Sequence, residues 1–469
     1  VRLACRWLAL TRIRTTIRWI VWTIISLYIV TIVLLHIPAV QGGIGSKIAD
    51  LASEKLGTEV RIGHVDLGFL NRVIIDDLLI YDQHHKKMLS ASRIGAKVDL
   101  IPLLQSGAIN ISSAQLFGLK ADLYKTTKDS KPNYQFVLDS LASKDQSNKK
   151  PLHLSINSLV IRNGSIRYNQ YDAPQTPHRF NLHHLDITNI STHIILDKLD
   201  DNSVIANLRS FSCKESAGLD VQQLTFEVNA NQRQASLTDF NLQLPNSKVA
   251  LEEIKAHYEL KDKRLINNSL RFDIKGFNST LQPSDLSTFL PDLHLLRNPY
   301  RIVLSAQGTN RSVAIRQLTV SSPTESTLLK ARGWIKDYDT KPSWNITFAP
   351  LKIGHNTLIS LAKVAKKPLP APINNLGNIY YKGVISQQNN TYTARGDLNT
   401  NAGSARLAAS MHGKNLRGTV ITPGFNIGEL LANPDFGKVV AKIAVDGSTD
   451  LTRISAKGDV FSFFYKGYT

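Results

Sequence analysis

Cysteine is almost absent, with only Cys5 and Cys213 in 469 residues. The two flank a long apolar run that is expected to cross a membrane, so they cannot pair, and a disulfide framework is excluded. Acidic residues are also short, 37 against 56 Lys and Arg, which leaves a formal charge of +19. Such an excess could serve nucleic acid or anionic lipid, but the basic residues are spread along the whole chain with no reading motif and no aromatic interleaving. The expectation is a basic, solvated outer face and no nucleic-acid partner. An apolar share of 42% is enough for a core and excludes a disordered chain.

Ordered catalytic spacing is missing too. Gly42-Gly-Ile-Gly-Ser-Lys47 inverts the Gly-Lys-Ser/Thr order of a phosphate loop and follows no strand, so it is expected to be a flexible joint. His84-His85 and His183-His184, with His178 nearby, are adjacent pairs whose members point to opposite faces of a strand, so neither pair converges on a metal. The same alternation separates Asp76-Asp77, Asp200-Asp201 and Glu252-Glu253. Neither an enzyme activity, a metal nor a cofactor is expected.

What the chain does have is an uncharged run, Trp19 to Leu35, extended to Pro38. A bilayer core about 30 Å thick needs around 20 apolar residues at 1.5 Å each, so the run is expected to be a transmembrane helix. Arg2, Arg6, Arg12, Arg14 and Arg18 all precede it and no charge follows until Lys47, which places the amino terminus in the cytoplasm and the rest outside. The run is long for a signal peptide and Ile37-Pro38-Ala39 is a poor cleavage site, so an uncleaved signal anchor is expected, with Trp19, Trp22, Leu27 and Leu34 in the bilayer. The resulting division is 1–16 cytoplasmic stub, 17–38 anchor, 39–57 amphipathic capping helix and 58–469 repetitive β body, with a soft boundary at 144–150. The chain begins without methionine and stops within a strand-like segment, so its carboxyl end is expected to be missing.

From Thr58 onward the apolar period falls from 3.6 to 2, the mark of strands with one buried face. Leu224-Phe226-Val228, Phe240-Leu242-Leu244, Leu270-Phe272-Ile274 and Trp344-Ile346-Phe348 are examples, separated by Asn, Gly, Ser, Asp and Pro turns. Short helices are expected only over 134–141, 285–296 and 358–364. Ile109 to Tyr124 is similar to Leu154 to Tyr168 in its order of apolar positions, and Pro350 to Leu358 is similar to Pro423 to Leu431. Such recurrence argues for a stacked body built of repeats. The fold class expected is therefore mainly β, a long repetitive and mostly antiparallel rolled sheet or open groove with few short helices.

The anchor, the helix ending in Leu56-Gly57, Val60-Arg-Ile-Gly-His-Val65, Val73-Ile-Ile-Asp-Asp-Leu-Leu-Ile80-Tyr-Asp, Leu100-Ile-Pro-Leu-Leu104 and Asn133-Tyr-Gln-Phe-Val-Leu-Asp139 together resemble the amino-terminal part of TamB-type proteins, within the AsmA-like bacterial envelope family. The resemblance covers most of the chain and lies in pattern and order. It implies an inner-membrane protein whose bulk lies in the periplasm and whose sheet, like that of chorein-type bridge proteins, offers phospholipid acyl chains an apolar groove. Phe226, Phe240, Phe272, Ile274, Trp344, Ile346 and Phe348 are the expected lining. It also implies an outer-membrane barrel assembly partner of the BamA or TamA type, met through a carboxyl-terminal region not in this chain. Two other readings stay open: a scaffold or chaperone for outer-membrane protein assembly, and an anchored envelope enzyme with a β-helix body.

Overall fold

Period-2 alternation dictates strands, and strands dominate. The computed structural model describes residues 18–23, 25–27, 29–30, 33, 37–68, 72–98, 111–142, 157–199, 203–261, 264–266, 268–322, 324, 327–448 and 453–468. It is mainly β, 60% strand against 16% helix. Among the described residues no helix is long and apolar enough to cross a membrane, so the expected transmembrane helix is not found among them. Arg18, Trp19, Trp22 and Leu27 are helical and exposed. Leu34, Arg2, Arg6, Arg12 and Arg14 lie outside the described residues, as do the 144–150 boundary and Leu100 to Leu104.

The chain divides into two compact units, one of residues 1–176, 181–196 and 213–216, the other of 177–180, 197–212 and 217–469. In the first, Pro38 sits in the opening turn of helix α1 (Pro38–Leu56), where its fixed φ suits the helix and its missing N–H costs nothing. Gly57 closes α1 with φ of 64°. Gly42 to Lys47 is therefore helix interior and not the joint expected from its glycines. Tertiary contact overrides the roughly 1 kcal/mol glycine penalty: a Cβ on Gly45 would stand 3.5 Å from Val65 Cγ2, and Val65 is only 1% exposed.

The sheet of this unit starts antiparallel. Val60–Arg61 and His64–Gly68 pair with Arg72–Tyr81, which pairs with Lys87–Val98, which in turn pairs with Ile111–Phe117 and Lys120–Lys125. The last two are one line of strand broken at Gly118, whose φ of 62° an L side chain rarely adopts. Both then pair with Ser158–Gln170 in parallel, across a connection that holds helix α2 (Gln135–Ala142). Ala114 lies beside Leu159, Ala121 beside Ile166 and Leu123 beside Tyr168. These are the aligned positions of the two similar sequences, so the repeat read along the chain is a lateral stack in space.

The second unit is a meander in which each long strand pairs antiparallel with the next. Its strands run from Gln223–Asn231, Gln234–Gln243, Lys248–His257 and Arg271–Leu281 through to Phe436–Ser448 and Ile454–Tyr465. After every fourth strand the chain makes a short helical cap. The caps begin after Gln282, Gly354 and Asn426, 72 residues apart each time (282 to 354, 354 to 426). They comprise two 3₁₀ turns (Pro283–Leu286 and Pro291–Leu295), α3 (His355–Val364) with α4 (Ala371–Asn375), and α5 (Ile427–Leu431). Neighbouring caps touch through Lys366 and Asp292 at 3.2 Å and through Asn375 Nδ2 donating to the Leu430 carbonyl at 3.1 Å. Asn426 and Glu429 close α5 with a reciprocal capping pair. Pro350 and Pro423, the shared residues of the second sequence similarity, both fall in bulges just ahead of a cap.

Candidate functional site

In an antiparallel ladder, residues directly opposite each other share a face, so the register fixes which side chains stand abreast. From Ile274 the neighbours on one side are Ile254, Leu237 and Val228. On the other they are Ala306, Ile315, Gly333, Ile346, Ile385, Ala394, Ala409, Gly418 and Val445. No polar residue interrupts this row across thirteen strands. At about 4.8 Å per strand it runs for roughly 55–60 Å. Of the thirteen only Ala306 is buried; the rest are half-buried, neither sealed as a core nor fully in water.

The expected lining residues all stand on this face. Ile274 and Ile346 lie in the row itself. Phe272 and Trp344 lie in the next row toward the end away from the caps, where Phe272 sits between Ala256 and Gly308. Phe348 lies toward the caps, opposite Ala331 and Gly383, with its ring 6.2 Å from that of Tyr381. Phe226 and Phe240 occupy the same depth, their rings stacked at 6.4 Å. All seven are half-buried.

Bulges keep the face continuous where simple alternation would lose it. Gly276, with φ of 67°, is an extra residue between Ile274 and Phe277, so that both side chains meet the same face. A Cβ there would stand 2.4 Å from Glu252 Cβ, so no larger residue fits. Asp239, with φ of 52°, does the same between Leu237 and Phe240. Leu237, Phe277, Leu304, Leu318 and Ile385 thereby join the face although strict period-2 reading does not select them.

The opposite face is polar. One step along from the apolar row lie Lys255, Asp273, Gln307, Ala314, Trp334, Asn345, Ser386, Thr393, Ser410, Arg417 and Asp446, polar at every strand but the two that carry Ala314 and Trp334. Ion pairs run across it, Arg316 to Asp273 at 3.3 Å and Arg417 to Asp446 at 2.9 Å. Glu253, of the Glu252-Glu253 pair, meets Lys255 at 2.7 Å. A hollow of about 650 Å³ on this side gathers Arg301, Arg316, Lys330 and Arg332.

Burial in the second unit concentrates at the capped end, where Leu244, Leu296, Thr357, Tyr381, Ala402, Ala405 and Val439 are covered. The caps thus close one end of the apolar face. Among the described residues of the first unit the most buried polar group is Asp82, 1% exposed. It accepts from the Tyr124 hydroxyl at 2.8 Å, from the His84 N–H at 2.8 Å and from the Lys86 N–H at 2.9 Å. Burial opposes its charge, but these donors outweigh burial and hold the carboxyl below its usual range. Burial, helped by that carboxylate, pushes the Tyr124 phenol up to about 12. Asn133 locks Tyr124 in place, exchanging backbone and side-chain hydrogen bonds with it at 2.8 and 2.9 Å. Tyr81-Asp82 and Asn133, from two motifs far apart in sequence, therefore converge on one structural knot.

His183 and His184 are otherwise engaged. His184 uses Nδ1 on Asn169 and Nε2 on the Ala173 carbonyl, and His183 Nδ1 faces Gln170. Among the described residues no group of three His, Cys, Asp or Glu is placed to hold a metal. Asp76 pairs with Arg93 at 2.6 Å, and that hydrogen bond holds its carboxyl low. Comparisons with protein-family models, with curated proteins and with solved structures return no match to this chain.

Proposed function

We propose that this chain is an inner-membrane-anchored bridge of the bacterial envelope, of TamB type, that carries phospholipid acyl chains along the apolar face of its second unit. The observation that supports this reading is the row from Val228 to Val445, apolar at every strand and half-buried at every position but Ala306. An acyl chain in water costs roughly 0.8 kcal/mol per CH₂, and a continuous apolar strip removes most of that cost at each point of transit. Covalent chemistry has no part in this, because the face acts by solvating its cargo. The anchor is Trp19 to Leu35 with the preceding arginines on the cytoplasmic side, and the bulk of the chain lies in the periplasm.

A photo-crosslinking residue at Phe272 or Ile346 is expected to capture phospholipid in cells, and one at Arg271 or Asn345, one step along the same strands, is not. Equal capture at both pairs, or capture at neither in folded protein, would remove the lipid reading.

A further inference from the structure

We propose that Gln387, with Trp344 and Tyr392, forms a headgroup site for lipids that carry a primary ammonium, at the uncapped rim of the apolar face. The inference rests on the lipid-carrying reading above. In the row that runs from Phe272 to Leu416, one step out from the central row, the residues are apolar or aromatic except Gln387. It stands directly between Trp344 on one strand and Tyr392 on the next. The rings of these two neighbours stand 6.5 Å apart, edge to face. Gln387 is 6% exposed and its Oε1 is buried without a hydrogen-bond partner.

Each part narrows the ligand. An unpaired amide oxygen needs a donor, so it selects N–H or O–H over an aprotic group. The two aromatic rings on the neighbouring strands favour a cation. A primary ammonium satisfies both, whereas a trimethylammonium can meet the rings but offers the oxygen no hydrogen. Tyr392 is 44% exposed, so its ring can turn aside to admit the headgroup without opening a core. Position agrees with chemistry, because Gln387 lies at the strand end remote from the caps. A headgroup held there leaves its acyl chains free to lie toward Ile346 and Phe348.

The test loads the full chain from vesicles of equimolar phosphatidylethanolamine and phosphatidylcholine with identical acyl chains, then quantifies the lipid retained after gel filtration. Wild type is expected to retain the ethanolamine lipid with a preference of roughly tenfold, the scale of one hydrogen bond to a charged donor. Gln387→Leu is expected to abolish the preference, and Gln387→Glu to raise it by adding the complementary charge. Undiminished total lipid with no preference in wild type, or with the same preference in Gln387→Leu and Gln387→Glu, would overturn this site and leave the apolar face intact. Absence of any retained lipid would sink the underlying reading and the site with it.

Discussion

In the first unit Val65, Met88 and Ala91 are 1%, 3% and 2% exposed, whereas in the second Ile274 and Ile346 stand half-buried among equally apolar neighbours. The first unit also breaks the antiparallel rule with its paired parallel strands and ties loop to strand with the charged knot at Asp82. The second repeats one device, four strands and a cap, and buries its large side chains mainly where the caps sit. The contrast teaches that apolar alternation alone does not make a core. A core also needs something laid across the face, as α1 is laid against Val65, and over most of the second unit the apolar row stays half-buried.

Substitutions in both units would break or sharpen this contrast. The largest effect is expected at Asp82, where Asp82→Ala removes a buried carboxylate from three donors and should cost about 3 kcal/mol or more of unfolding free energy in a urea titration. Because its folded pKa is lowered, the stabilisation is fully present above the ordinary carboxylate range and is lost as pH falls from about 4 toward the folded value. Wild type should therefore lose stability below about pH 4 more steeply than Asp82→Asn, whose amide does not titrate; parallel curves would remove Asp82 as the source.

A smaller loss is expected on the open face. Ile346→Asn should cost about 1 kcal/mol or less, since the side chain is already half in solvent. If it destabilises the protein as much as Val65→Asn does, the face is a sealed core and the contrast between the units collapses. The smallest effect belongs to the polar face, where Arg417→Ala should change stability by no more than about 0.5 kcal/mol despite the 2.9 Å contact with Asp446. A larger change in a thermal melt would mean that the outer ion pairs are coupled and not individually solvated.

Much of this was legible in the sequence because it is carried by local period. Alternation placed Phe226, Phe272, Trp344 and Ile346 in strands and on the face where they stand. The similarity of 109–124 and 154–168 foretold neighbours, though not that they would lie parallel, since strand direction is set by the connection that includes α2. Bulges were illegible for a related reason. Asp239 and Gly276 each shift the period by one residue, and only the left-handed backbone at those positions shows it. Gln387 was hidden by its type, because a glutamine beside Gln388, Asn389 and Asn390 looks like turn composition until its partners across the sheet, Trp344 and Tyr392, are known. Gly42 to Lys47 misled because glycine composition speaks for flexibility while the contact of Gly45 with Val65 is tertiary.

The 72-residue spacing of the caps carries a consequence for how such a chain changes size. Each repeat is one module, four strands that bond to the next four and a cap at their end, so a tandem duplication between Gln282 and Gly354 is expected to insert in register. Four strands at about 4.8 Å advance the strip by roughly 19 Å. Length in this architecture is thus quantised, and duplication would lengthen the strip by whole marks of a ruler where a close-packed globule would have to be redesigned.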